Sequence, residues 1–149
     1  FDNEPLAFVL SERMYREGAD VVYHAAGSSG LGVFEGAVQM SAELGRKVWA
    51  IGVDEDQYAA LAPSDPWRQH ILTSMTKNYD RATIAYLEEF SKGEFKPGAR
   101  ELNLGNGGVD LATSGGFIDD IQPELERLRR QVVEGDITVP TTPSSRPQS

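Results

Sequence analysis

The chain has 149 residues, 23 acidic against 14 basic side chains, no cysteine, 40% hydrophobic and 25% charged residues, the composition of an ordinary globular chain long enough to bury a core in one domain of usual size. A net charge of -9 with no Lys/Arg stripe disfavours nucleic acid and anionic membrane surfaces as partners. The lack of cysteine removes thiol chemistry, thiolate metal sites and disulfides, and no stretch approaches the ~20 apolar residues that span a bilayer.

Phe1 is not an initiator residue and no charged and apolar leader follows it, so the chain reads as a fragment or a processed product, with any targeting segment or lipid anchor outside it. Residues 6–17 read as a helix, with Leu6, Phe8, Val9 and Met14 on or near one side, Pro5 in its first turn and Gly18 as its stop. Residues 20–26 form a β-branched and aromatic run bounded by glycines, which predicts a buried strand. The glycine-rich turn Gly27-Ser28-Ser29-Gly30-Leu31-Gly32 leads into a helix over 32–44, which Gly45 ends. A second buried strand covers 47–53 and stops at Asp54. Strand, glycine turn, helix and strand make a βαβ unit, hence an α/β chain with a parallel sheet.

A polar, Pro-containing loop over 57–66 precedes a third strand over 69–76, closed by Lys77. Residues 79–90 make an amphipathic helix with Ala82, Ile84, Ala85, Leu87 and Phe90 apolar and Lys92-Gly93 at its end. Two short apolar pieces, 102–104 and 109–111, flank Gly105-Asn106-Gly107-Gly108, which turns either a hairpin or a corner. A last helix spans 122–134, opened by Pro123 and Glu124, and 135–140 reads as extended. Residues 141–149 are a Pro/Ser/Thr-rich tail without an apolar side chain, expected to be disordered.

The local pattern with most chemical content is Gly27-x-x-Gly30-x-Gly32 between strand and helix, with Asp54 at the next strand end. Small residues let a ligand approach the backbone, and a carboxylate about 20 residues on is where dinucleotide folds hold a ribose diol. The spacing departs from G-x-G-x-x-G, so these glycines equally suit a tight βα turn with no ligand. Lys77 lies at a third strand end, and strand ends of a parallel sheet converge on one cleft, where Asp54 and Lys77 can meet. Asp54-Glu55-Asp56 reads as a solvated turn rather than an acid/base or metal cluster, and His24 and His70 lack ligand spacing, His24 reading as a packed or surface side chain. No G-x-S-x-G elbow, P-loop or Ser/His/Asp grouping is present, so the reading assigns no catalytic residue, no metal and no cofactor. Trp49 and Trp67 read as packing, Trp67 with the alternative of a cleft rim.

The stretch from Gly18 to Val33, Gly18-Ala19-Asp20-Val21-Val22-Tyr23-His24-Ala25-Ala26-Gly27-Ser28-Ser29-Gly30-Leu31-Gly32-Val33, resembles the signature of the basic membrane lipoprotein family, substrate-binding lipoproteins of nucleoside ABC transporters. Further similarities follow in order at Trp49-Ala50-Ile51-Gly52-Val53-Asp54-Glu55-Asp56-Gln57, Leu72-Thr73-Ser74-Met75-Thr76-Lys77, Leu104-Gly105-Asn106-Gly107-Gly108-Val109, and Val133-Glu134-Gly135-Asp136-Ile137-Thr138-Val139-Pro140. The resemblance implies a type I periplasmic-binding-protein fold, two α/β lobes about a hinge, with this chain as the C-terminal half. Residues 1–100 would form the C-terminal lobe, 101–140 the crossover segment and final helix packing towards the absent N-terminal lobe, and 141–149 the tail.

It also implies a non-enzymatic, extracytoplasmic receptor, anchored as a lipoprotein or periplasmic, that closes on a purine nucleoside and delivers it to an ABC transporter permease. Carried over residue by residue, the ligand contacts would be Gly27, Asp54 and Lys77, with Phe1 as the aromatic that stacks on the base, although Asp2-Asn3-Glu4 departs from the family's order. Two alternatives stay open. One is an NAD-binding Rossmann-type oxidoreductase, for which no Tyr-x-x-x-Lys pair exists since the residue four on from Tyr58 is Ala62 and four on from Tyr79 is Thr83; the other is a ligand-sensing regulatory domain of the same fold.

Overall fold

The computed structural model describes residues 2–142; Phe1, the expected stacking aromatic, and 143–149, most of the expected tail, lie outside the described residues. Helix α1 spans Glu4–Arg16 and begins two residues before the periodicity predicts, because Asn3 caps it: its side-chain oxygen accepts from the Leu6 N–H at 3.0 Å. The Asn3 N–H in turn donates to Ser29 Oγ at 2.8 Å, tying the helix start to the glycine turn. The side of α1 that packs carries Ser11 and Tyr15, while Leu6, Val9, Leu10 and Met14 are exposed. Of the apolar side read from the sequence, Leu6, Val9 and Met14 face outward and Phe8 is half-buried.

The first strand is shorter than predicted, β1 at Val21–Tyr23, and the glycine turn is one turn of 3-10 helix, Gly27–Gly30, which runs directly into α2 at Leu31–Leu44. Gly45 ends α2 in the left-handed conformation, φ 63°, as expected for a glycine stop. Strand β2, Trp49–Asp54, takes Asp54 into the strand, and β3, Ile71–Lys77, takes in Lys77. The loop between them is more ordered than the sequence suggests. Asp56 caps a short helix α3, Gln57–Ala60, and Asp65 caps a 3-10 turn at Pro66–His70. Helix α4 is Tyr79–Lys92, β4 is Val109–Leu111, and α5 is Gln122–Glu134. The glycine-rich segment turns a corner rather than a hairpin, since 102–104 forms no strand, and 138–140 has no regular structure.

The strands lie in the order β1-β2-β3-β4. The first three are parallel, with Val21 opposite Trp49 and Asp54 opposite Thr76, and β4 closes the edge antiparallel, with Lys77 opposite Val109. One layer of core fills the space between α1, α2 and the sheet: Tyr15, Phe34, Met40, Val48 and Ile71 are fully buried, with Trp67 packed against their edge. Tyr15 donates its hydroxyl to the Trp49 carbonyl at 2.8 Å, and burial pushes its pKa up. On the other side of the sheet Trp49 packs against Phe117, ring centroids 4.8 Å apart, with Lys47 Nζ over the indole at 4.0 Å.

Helices α4 and α5 bury no residue completely. Along α4, Ile84, Leu87 and Phe90 project outward, Phe90 being 73% exposed. An apolar groove of about 600 Å³ lies between β4 and α5.

The two-helix layer depends on small residues. A Cβ on Gly32 would stand 2.1 Å from the Glu4 carbonyl oxygen, and one on Gly36 would stand 2.2 Å from Ser11 Oγ, so these glycines let the two helix backbones approach closely. We expect Gly32→Ala to cost about 1–3 kcal/mol through forced separation of α1 and α2; denaturant unfolding with an unchanged midpoint would refute that role.

Candidate functional site

Parallel pairing places the C-terminal ends of β1, β2 and β3 side by side, and the residues there surround an open cleft of about 190 Å³ lined by Tyr23, Ala25, Gly27, Val53, Asp54, Met75 and Lys77. A second hollow of about 300 Å³ adjoins it over Ser28, Leu31, Glu55 and Gln57 and shares Gly27, Val53 and Asp54. Three residues singled out from the sequence, Gly27, Asp54 and Lys77, therefore meet in one place.

Each is held by a local physical cause. Gly27 opens the 3-10 turn at φ 58°, a conformation that costs a glycine nothing and leaves the backbone uncovered toward the cleft. Asp54 is the non-glycine residue with positive φ among the described residues, at 72°. Asp tolerates this region better than most side chains, yet the strain is real and is placed at the cleft. Lys77 follows the residue paired with Asp54, and its Nζ lies 2.6 Å from Asp54 Oδ1. The hydrogen bond to Asp54, then its charge, raises the Lys77 pKa above the ordinary lysine value, so the ammonium stays charged at all physiological pH.

Asp54 and Asp56 have separate tasks. Asp54 faces Lys77, while Asp56 Oδ1 accepts from the Ala59 N–H at 3.1 Å and from Ser114 Oγ at 2.8 Å. Among the described residues, no three His, Asp or Glu side chains gather where a metal ion would be held.

Sequence reasoning missed Tyr23, Met75 and Gln57. Met75 was accessible in principle, because it lies two residues before Lys77 on the same strand and thus on the same side. Gln57 was not. Its Oε1 accepts from the Val53 N–H at 2.9 Å and its N–H donates to Ser74 Oγ at 3.2 Å, a clamp across β2 and β3 that arises only from the tertiary arrangement. His24, at the end of β1, is packed beneath the turn with 4% exposure.

Backbone strain at Asp54 yields a stability test. Asp54→Gly removes about 1 kcal/mol of left-handed strain while losing a partly exposed ion pair of small worth. Asp54→Ala keeps the strain and loses the pair. Thermal unfolding should therefore rank Asp54→Gly at least as stable as Asp54→Ala; the reverse order would mean that the backbone of residue 54 holds no strain that glycine relieves.

Comparison with known proteins gives consistent matches. Residues 1–143 match the family model described as "ABC transporter substrate-binding protein PnrA-like". The "CD4+ T-cell-stimulating antigen" of Listeria monocytogenes is 34% identical over 140 residues, 90% of this chain and 39% of that protein. "Basic membrane protein A" of Borreliella burgdorferi is 32% identical, over 91% of this chain and 38% of that protein. The "ABC transporter nucleoside-binding protein BmpA" of Lactococcus lactis is 33% identical, over 89% and 39%. The chain thus spans about two fifths of the length of these relatives.

Among solved structures, an ABC transporter solute-binding protein from Aeropyrum pernix superposes with a TM-score of 0.69 at 23% identity, over 97% of this chain and 46% of that one. Another from Conexibacter woesei gives 0.70 at 24% identity, over 94% and 43%. At those identities the superpositions establish the fold, α/β with a mostly parallel sheet flanked by helices, of the kind found in ABC solute-binding proteins.

Proposed function

The chain belongs to the family of PnrA-like ABC transporter substrate-binding proteins, a family of binding proteins rather than enzymes, and from that premise we propose that its full-length protein is an extracytoplasmic receptor that captures a purine nucleoside by lobe closure and delivers it to an ABC permease. The observation that carries this reading is the convergence of Gly27, Asp54 and Lys77 on one cleft. The Asp54 carboxylate has two acceptor oxygens for the vicinal hydroxyls of a ribose, the turn at Gly27 allows the sugar to approach the backbone, and Lys77 donates to a sugar oxygen or a base nitrogen. Phe1 is the candidate for stacking on the base. One of the curated relatives carries nucleoside binding in its name.

Charge supports a neutral nucleoside over a nucleotide. Of the described residues lining the two hollows, Lys77 is the cation, it is already paired with Asp54, and Glu55 adds a further negative charge. A phosphate would meet two carboxylates and no free guanidinium there.

The domain assignment is part of the same proposal: 1–100 as the main body of the second lobe, 101–140 as the segment that returns toward an N-terminal lobe. Two exposed apolar surfaces support a large complement from the rest of the protein, Leu6, Val9, Leu10 and Met14 on α1, and Ile84, Leu87 and Phe90 on α4. In the full-length protein Leu87→Asp should lower Tm by about 1–2 °C for each ~1 kcal/mol of lost stability, while Glu88→Gln leaves it unchanged. Equal Tm values would show that α4 is free in the whole protein.

Titration calorimetry on the full-length protein tests the ligand. Adenosine, guanosine or inosine should bind, AMP and NAD should not, and Asp54→Asn and Lys77→Met should each weaken binding at least tenfold. Binding of NAD alone, or unchanged affinity in both variants, rejects the assignment.

A further inference from the structure

His24 occupies an unusual position for a titratable side chain. It is 4% exposed, its ring lies edge-on to Phe34 at 5.3 Å between centroids, and neither ring nitrogen has a hydrogen-bond partner among the described residues. Its backbone N–H donates to the Ile51 carbonyl at 3.3 Å, so the residue is fixed to the sheet while its ring reaches under the turn. There it meets Gly30. A Cβ at that position would stand 2.1 Å from the ring Cε1, 2.4 Å from Nδ1 and 2.5 Å from Nε2, so the ring packs directly against the backbone of the turn.

We infer that His24 is a positioning residue of this cleft, an uncharged prop under the Gly27–Gly30 turn whose protonation loosens the turn and weakens ligand capture. The ligand half of this statement rests on the receptor reading above; the coupling of ring to turn does not. Leaving buried polar atoms unpaired is costly, and an apolar side chain would fill the same place without that cost, so the imidazole is packed here at an energetic disadvantage. A second proton makes the disadvantage larger, since burying a cation is far costlier than burying a neutral ring, and this outweighs the support that the Gln57 side chain and Asp54 give the charged form. Gly30 is also the residue at which the 3-10 turn becomes α2, and the positive end of a helix dipole repels a cation.

The groups facing the ring come from three elements. Phe34 on α2 is apolar, Gln57 on α3 is polar and uncharged, and Asp54 at the end of β2 is the charged group that acts on it. Burial lowers the His24 pKa below the ordinary histidine value, and the opposing influences of Gln57 and then Asp54 do not restore it.

The sign follows from linkage. With the closed turn favouring the neutral ring, its stability is complete above pH ~6.5, declines as the pH falls below that value, and is lost through the depressed folded pKa. If the opened or unfolded form binds the proton that the closed form rejects, ligand affinity drops by at most about tenfold per pH unit, the limit for one proton. The cleft would hold its ligand at neutral pH and release it on acidification.

Two measurements on the full-length protein decide the matter. The first is an NMR titration from pH 7.5 to 5.0 that follows the His24 ring and the amides of 27–30. We expect a His24 midpoint below 6.5 and turn amides that shift with the same midpoint; a higher midpoint, or turn amides that do not move with the ring, overturns the inference without any need for a ligand or a variant. The second is calorimetry with adenosine and inosine over the same range. Wild-type affinity should fall several-fold toward pH 5.0, His24→Gln should show a flattened profile relative to its own affinity at pH 7.5, and His70→Gln should keep the wild-type profile. A pH dependence that survives in His24→Gln defeats the proposal. No binding by either nucleoside at any pH would count against the receptor reading, while the first titration still decides the role of His24.

Discussion

Parallel pairing of three short strands governs where polar groups can collect in this molecule. In a parallel sheet the strands all point the same way, so their C-terminal ends form one rim, and the loops leaving that rim are the segments free of the ladder. Tyr23, Asp54 and Lys77 end β1, β2 and β3, and the glycine turn leaves from just beyond β1. Once this register forms, an acid from one strand and a base from the next lie within ion-pairing distance without any further device. Gln57 and Ser74 then hold the rim from behind by binding across β2 and β3.

The same arrangement explains why the site is strained and underpinned rather than relaxed. Asp54 takes a left-handed backbone conformation at the moment the chain leaves the sheet, which turns its carboxylate toward the cleft. Gly30 cannot bear a side chain because His24 lies beneath it, and Gly32, two residues further, cannot bear one because α1 lies against it. The turn is therefore wedged between a buried imidazole and a neighbouring helix. A Ser29 hydroxyl that accepts from the first residue of the α1 cap adds a third attachment.

Packing is unequal across the molecule. The layer formed by α1 and α2 is complete on its sheet side, whereas α4 and α5 bury no residue entirely and α1 carries four large apolar side chains outward. Ordinary surfaces carry scattered apolar residues, whereas here Leu6, Val9, Leu10 and Met14 on α1 and Ile84, Leu87 and Phe90 on α4 are all exposed.

Much of this was legible from residue order. Period-2 and period-3.6 patterns located the longer helices and strands, the glycines located the turn and the helix stops, and the positions of Asp54 and Lys77 at strand ends foretold their meeting. Local signals of this kind survive in sequence because backbone conformation depends on neighbours a few residues away. Which side of α1 and α4 is buried was not legible, since an amphipathic pattern states that a partner exists without naming it; Leu6 and Phe90 look like core residues and are exposed. His24 read as packed or surface and is packed, but its place under Gly30 and the Gln57 clamp on Val53 and Ser74 come from tertiary contacts that the pattern of residues does not state. By itself the sequence determined the elements, the parallel βαβ unit and the polar residues of the rim; only the tertiary structure decided the direction of each helix face and the packing under the turn, because burial is a property of the assembled surfaces and not of any one segment.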